Sequence, residues 1–296
     1  MPIEPLIEKW QGSMAELTIG AGLSAVTVGG QKTLPFLSAE APLAHPPVIA
    51  YEILDVQPED WPQELAAAYK DVWGDPLAWA QKCVEKHKAQ MLCVRLQGLH
   101  PDSGNKDPQA CARLIGELLA KVPVPLIIAG CGDDAQDNLA LPLCSEAARG
   151  KKCLFGNAVQ DNYKTLTAAV LADGHSIIAE SPIDINIAKQ LNILIGDMGL
   201  PVERIAMDPT IGPLGYGLEY AYSIMERSRL AALAGDKMLS MPFVCFAGQE
   251  TWKVKERSVL WESMTAAALL QAGADILVMR HPAAVEQTQS YIRSLL

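Results

Sequence analysis

The chain has 296 residues, half of them hydrophobic and a fifth charged, with a formal net charge of -10. This composition can bury a large core, which excludes a disordered chain, and its acidity excludes nonspecific binding to nucleic acid, which needs a clustered cationic surface. The N-terminal MPIEPLIEKW lacks the basic and long apolar regions of a signal peptide, and no apolar run reaches the length of a membrane span. The expectation is a cytoplasmic protein that binds neither nucleic acid nor membrane.

Ala15 to Phe36 reads as two short alternating runs, ELTIG and AVTVGG, joined through Gly20, Ala21 and Gly22. Such a pair predicts a β-hairpin, either a lid over one end of the fold or a partner surface that could be removed without unfolding the rest. Pro35, Pro42, Pro46 and Pro47 make an extended linker into the first buried run. The mixed stretch after that run is an excursion, and Asp75 with Pro76 starts the first main helix.

Apolar runs then recur at Val48 to Ile53, Met91 to Leu96, Pro125 to Ala129, Cys153 to Asn157, His175 to Ala179, Arg204 to Met207, Met241 to Phe246 and Asp275 to Met279. Segments of helical period separate them. Asp184 caps a helix whose Ala188, Leu191, Ile195 and Met198 share a face, and Gly199 with Pro201 ends it. In a later helix Leu260, Met264, Ala267 and Ala268 form the stripe expected to face the core, ended by Gly273. Eight strands alternating with helices predict an α/β fold, a closed (β/α)8 TIM barrel over residues 48–296, with residues 1–47 as an N-terminal β-hairpin and linker. No GxGxxG or P-loop supports a doubly wound dinucleotide fold.

In such a barrel the carboxyl ends of the strands gather on one rim, where ligands bind. That places Gln97, Gly130, Gly132, Asn157, Glu180, Ser181, Asp208, Thr210, Gln249 and His281 together, with amide, hydroxyl and glycine groups outnumbering charges. The segment RIAMDPTIGPLGYGLEY, Arg204 to Tyr220, is a strand stopped at Asp208 by Pro209, followed by a loop in which Gly212, Gly215 and Gly217 allow close approach of backbone. Asp208 either faces a ligand or bonds its own loop amides. Glu180 and Asp208 could pair as carboxylates, or one of them could anchor a loop. His100 and His281 each precede a proline and could act in chemistry or shape a turn; His175 opens a strand at the opposite rim. There is no G-x-S-x-G and no H-E-x-x-H. The seven cysteines are scattered without a C-x-x-C, which argues against an iron–sulfur cluster or zinc site on this chain.

The motifs LFGNA (Leu154 to Ala158), AESPIDINIAKQLN (Ala179 to Asn192), MDPTIGPLGYGLEY (Met207 to Tyr220) and MRHPAAV (Met279 to Val285), with the hairpin and LPF at Leu34 to Phe36, occur in this order over nearly the whole chain. Together they closely resemble the small (delta) subunit of the corrinoid iron–sulfur protein of the acetyl-CoA (Wood–Ljungdahl) pathway. The resemblance implies a TIM barrel related to pterin-binding methyltransferases. It also implies a large subunit carrying a [4Fe–4S] cluster and a corrinoid domain, with the cobamide held between that domain and the barrel top. A methyl group would pass from methyltetrahydrofolate, by way of a methyltransferase, to acetyl-CoA synthase, and the barrel would shield and position the cofactor. Asn157, Ser181, Asp208, Thr210 and Gly212 are the expected cofactor-binding residues, as hydrogen-bonding groups, with no catalytic or metal-ligating residue on this chain. The alternative is a pterin-dependent methyltransferase acting on a corrinoid protein, since Asn157 and Asp208 are residue types that such barrels use to bond a pterin ring.

Overall fold

A computed structural model describes residues 7–35 and 41–296. Phe36, the last residue of the LPF motif, lies outside them. Eight parallel strands close a barrel: β3 (Val48–Leu54), β4 (Met91–Arg95), β5 (Leu126–Ala129), β6 (Leu154–Ala158), β7 (Ser176–Glu180), β8 (Ile205–Asp208), β9 (Phe243–Cys245) and β10 (Ala274–Met279), with β10 pairing back onto β3. Each lies within two residues of the apolar run that predicts it. Helices intervene: α1 (Gln63–Tyr69) and α2 (Pro76–Glu85), α3 (Pro108–Lys121), α4 (Asp134–Ala147), α5 (Tyr163–Asp173), α6 (Ile185–Asp197), α7 (Leu218–Leu233), α8 (Ala247–Thr251) and α9 (Val259–Ala272), and finally α10 (Pro282–Leu295). Their caps follow the sequence. The Asp75 carboxylate accepts from Ala78 N at α2, Asp184 accepts from Asn186 N and Ile187 N at α6, and Gly273 ends α9 at φ +106°.

Strand side chains alternate, and the alternation builds two cores. One set, including Tyr51, Ile53, Leu92 and Val94, packs outward under the helices. The other fills the lumen: Val48 and Ala50 of β3, Met91 and Cys93 of β4, Ile178 of β7, Ala206 of β8, Ile276 and Val278 of β10. Two residues further along, the same inward faces carry Glu52, Arg95, Glu180, Asp208 and Arg280. The top layer of the barrel is therefore ionisable while the layers beneath it are apolar.

The N-terminal strands β1 (Glu16–Ile19) and β2 (Val26–Gly29) pair antiparallel, with Leu17 opposite Val28. Leu17, Ile19 and Val28 are buried in the lumen core, so the hairpin is the floor of the barrel, at the end away from the ligand-facing rim. Backbone bonds from Ala15 N to Ser240 O and Gly20 N to Lys152 O seam it to the segments leading into β9 and β6, and Gln31 Nε2 donates to the buried Asp275 at 3.0 Å. Of the two expectations, the lid over one end of the barrel is the one seen: an apolar face of three large side chains closes the lumen from below.

The stripe on α9 is corrected. Leu260 and Met264 are exposed, and the helix buries Glu262, Thr265, Ala266, Leu269 and Leu270 instead. Its apolar residues run all the way round, so periodicity does not select a face. Glu262 selects it by accepting from Trp252 Nε1, Arg280 N and His281 N, which turns its carboxylate inward.

Candidate functional site

At the top of the lumen lies a cavity of about 210 Å³, lined among others by Arg95, Asn157, Glu180, Asp208 and Thr210. Pro209 ends β8 and leaves Asp208 at the strand terminus, in register with Glu180 on β7. Asp208 Oδ1 accepts from Thr210 N at 2.9 Å and Oδ2 accepts from Asn157 Nδ2 at 3.0 Å, so it both anchors its loop and faces the cavity. Burial, then the repulsion of Glu180, pushes the Asp208 carboxyl well above its ordinary range. Burial raises Glu180 as well, and the Asn157 amide and Arg95 oppose the shift. Two carboxyls so placed favour holding a proton between them over carrying two charges.

Glu52 is fully buried and bridges two arginines, Arg95 Nε to Oε1 at 2.6 Å and Arg280 Nε to Oε2 at 2.5 Å. Burial alone would raise this carboxyl; the two guanidiniums more than reverse that and draw it down to about 2. Phe246 stacks on Arg95 and Trp61 on Arg280, so both planar cations are fixed. Behind them burial pushes Glu262 up to about 7 in spite of its three donors.

The five expected residues divide. Asn157, Asp208 and Thr210 line the cavity. Ser181 and Gly212 do not: they build the loop. Ser181 N donates to Asp208 O, and its carbonyl accepts from Thr210 Oγ1 at 2.6 Å. A Cβ on Gly212 would come within 2.3 Å of Tyr216 O, so only glycine fits. Thr210 is β-branched at φ +55°, a costly backbone conformation that Asp208 and Ser181 hold in place. The loop is tied rather than free, with Leu214 N donating to Thr265 Oγ1, Trp261 Nε1 donating to Leu214 O, and Tyr216 OH bonding Glu256.

Six of the sixteen lining residues carry charged side chains and six are glycine, amide or hydroxyl residues, so the latter equal the charges instead of outnumbering them as expected. Arg95 and its buried partner Glu52 are the residues that sequence reasoning passed over, because both stand inside apolar runs. The signal was there: a charge two positions after Ala50 and Cys93 continues the inward face. His100 and His281 shape turns, their Nδ1 atoms accepting from Asp102 N and Ala283 N.

A family model described as CO dehydrogenase/acetyl-CoA synthase delta subunit matches residues 16–288. The chain belongs to this family. It is 36% identical over 296 residues to the acetyl-CoA decarbonylase/synthase complex subunit delta of Methanothermobacter thermautotrophicus, which covers 95% of this chain and 75% of that relative. To the subunit of the same name from Methanocaldococcus jannaschii it is 32% identical over 311 residues, covering 99% and 76%. Among solved structures it resembles Yersinia pestis dihydropteroate synthase with a pterine–sulfa conjugate (TM-score 0.58, 13% identity, 94% of this chain and 98% of that one). It also resembles Xanthomonas albilineans dihydropteroate synthase with 4-aminobenzoic acid (TM-score 0.57, 14% identity, 84% and 92%). At such identities the likeness is one of fold, the TIM barrel. The family is thus that of a subunit in a multi-subunit complex. Among the described residues no helix is long and apolar enough to cross a membrane.

Proposed function

We propose that this delta-family chain is the barrel subunit of a corrinoid iron–sulfur methyl carrier, with the cobamide held between its top face and a large subunit that also bears the [4Fe–4S] cluster. The methyl group comes from methyltetrahydrofolate through a separate methyltransferase and goes on to acetyl-CoA synthase. The observation that carries the reading is the polar top layer itself, where fixed donors and acceptors meet at the only rim to which the βα loops contribute. Its chemistry suits a corrin, whose edge carries carboxamide arms. When bound, the corrinoid supplies the methyl-carrying chemistry. The chain's own groups do the holding. Asn157 and Thr210 offer hydrogen bonds beside the Glu180–Asp208 pair, and the stitched loop from Pro209 to Gly217 gives them a rigid mount.

Thr210→Val keeps the shape of the side chain and removes its hydroxyl, so corrinoid retention by the subunit assembly should weaken by about 0.5–1.5 kcal/mol without loss of fold. Cobalt-to-protein ratio after gel filtration measures it. Unchanged retention, with the corrinoid enclosed by the large subunit alone, would reduce the barrel to a scaffold.

Asn157 and Asp208 bonded to each other in the cavity favour a second reading, a pterin-dependent methyltransferase acting on a corrinoid protein. Calorimetry of the isolated chain with methyltetrahydrofolate separates the two. Binding that Asn157→Ala abolishes would put the second reading first, whereas the carrier reading expects no heat of binding.

A further inference from the structure

The site's own bonds leave two groups with capacity to spare. The Arg95 side chain is 10% exposed; its Nε is taken by Glu52, and Nη1 reaches Gly130 O at 3.4 Å. Among the described residues no hydrogen bond engages its Nη2, although the guanidinium lines the cavity. On the acceptor side each Asp208 oxygen already accepts one bond, from Thr210 N and from Asn157 Nδ2. Glu180 keeps lone pairs beyond what Asn157 takes up. Next to them an apolar recess of about 310 Å³, walled by Pro182, Ile187, Leu191 and Leu194, shares Val159, Glu180 and Thr210 with the polar cavity. The recess thus adjoins the polar cavity along a wall that includes Glu180 and Thr210.

We infer that the cavity and its adjoining recess together recognise a carboxamide carried on an apolar body, its carbonyl oxygen accepting from Arg95 Nη2, its N–H donating to Glu180, and its body lying in the recess. A carboxylate would satisfy Arg95 but face the charge left on the Glu180–Asp208 pair, with Asp134 and Glu250 in the same lining. An amidinium would satisfy the acids but give Arg95 a like charge and no acceptor. Only a neutral group that donates and accepts satisfies both sides, and a buried polar group left unpaired is penalised more than a made bond is rewarded. The inference rests on the reading of the barrel top as the corrinoid-facing surface, and it names the part of that ligand the chain reads: a peripheral carboxamide.

The test is saturation-transfer NMR of the full chain with four probes of one shape: benzamide, methyl benzoate, benzoate and benzamidine. Benzamide should bind, and the other three should bind about tenfold more weakly or worse. Glu180→Leu should abolish the preference for benzamide over methyl benzoate. Arg95→Gln should do the same, but it leaves Glu52 with one partner fewer, so Glu180→Leu carries the test if that variant does not fold. Binding of none of the probes, tighter binding of benzamidine or benzoate, or a benzamide preference that survives Glu180→Leu, would each overturn the inference. Benzamide selectivity with the corrinoid held by the large subunit alone would sink the carrier reading and leave this one standing. Corrinoid retained at the barrel top without any selectivity among the probes would do the reverse.

Discussion

Replacing Glu52 by leucine should destabilise the chain by about 3–5 kcal/mol, because it strands two buried guanidiniums that now share one carboxylate. That is a large part of the 5–15 kcal/mol that ordinarily separates native from unfolded chains. The loss belongs to the unpaired charges rather than to the missing attraction, and a compound variant tells them apart. Glu52→Leu combined with Arg95→Met and Arg280→Met should recover most of the stability, since an apolar trio of similar volume replaces a buried ionic one at little net cost. Urea denaturation of the three proteins decides it; a triple variant no better than the single one would mean that packing, not charge, fails. The pH dependence follows from the same carboxyl. Its pKa in the folded chain, about 2, lies below the ordinary value of 4.5, so the native state binds fewer protons than the unfolded state between those values. The stability it contributes is complete above pH 4.5 and is lost as pH falls towards 2. Glu262 works in the opposite sense. With a folded value raised to about 7 it holds a proton that the unfolded chain has released, so its contribution declines as pH rises from 4.5 to about 7. The wild-type profile should rise and then fall across this range, and Glu52→Leu should flatten its acid limb alone.

The barrel was legible because each buried strand is a short apolar run and each helix carries its own stop, such as Gly199 after α6 or Gly273 after α9. The rim followed from direction: in a parallel barrel every strand delivers its last residue to the same end, which brings Asn157, Glu180 and Asp208 together without any knowledge of their contacts. What was not legible depends on tertiary neighbours. Ser181 and Gly212 share the rim with Thr210, yet one lies beneath the loop and the other is packed against Tyr216 O, a distinction made by the path of the chain after Pro209. Glu52 and Arg95 were hidden by reading their runs as uniformly apolar, although the period of two within those runs pointed them into the lumen. α9 was rotated away from its apolar stripe by Glu262, whose three donors come from parts of the chain 10 to 19 residues distant.

The hairpin gives the second large effect. Removing residues 1–31 should leave a chain that does not fold, in contrast to the behaviour of a separable partner surface. Leu17, Ile19 and Val28 are 0%, 0% and 1% exposed, and they cap lumen residues such as Val48, Ile127 and Leu154 that would otherwise meet water at the barrel floor. A buried Leu or Ile cut back to Ala costs about 2–5 kcal/mol. Loss of three such side chains, with the Gln31–Asp275 bond and the exposed lumen in addition, therefore reaches the whole stability of an ordinary domain. Point variants refine the test. Leu17→Ala should lower the unfolding free energy by about 2–5 kcal/mol. Thr18→Ala, one residue along and on the exposed face where Thr18 meets Thr27 at 2.9 Å, should stay within about 0.5 kcal/mol of wild type. Equal effects at the two positions, or a truncated chain with an unchanged denaturation midpoint, would show that the floor is not part of the core. The alternation also separates folding from assembly. Because one face of the hairpin closes the lumen and only the other meets solvent, any role in holding a partner subunit must be sought by substitutions at Glu16, Thr18 and Thr27, since a truncation that abolishes binding would report the collapse of the barrel rather than the loss of a contact.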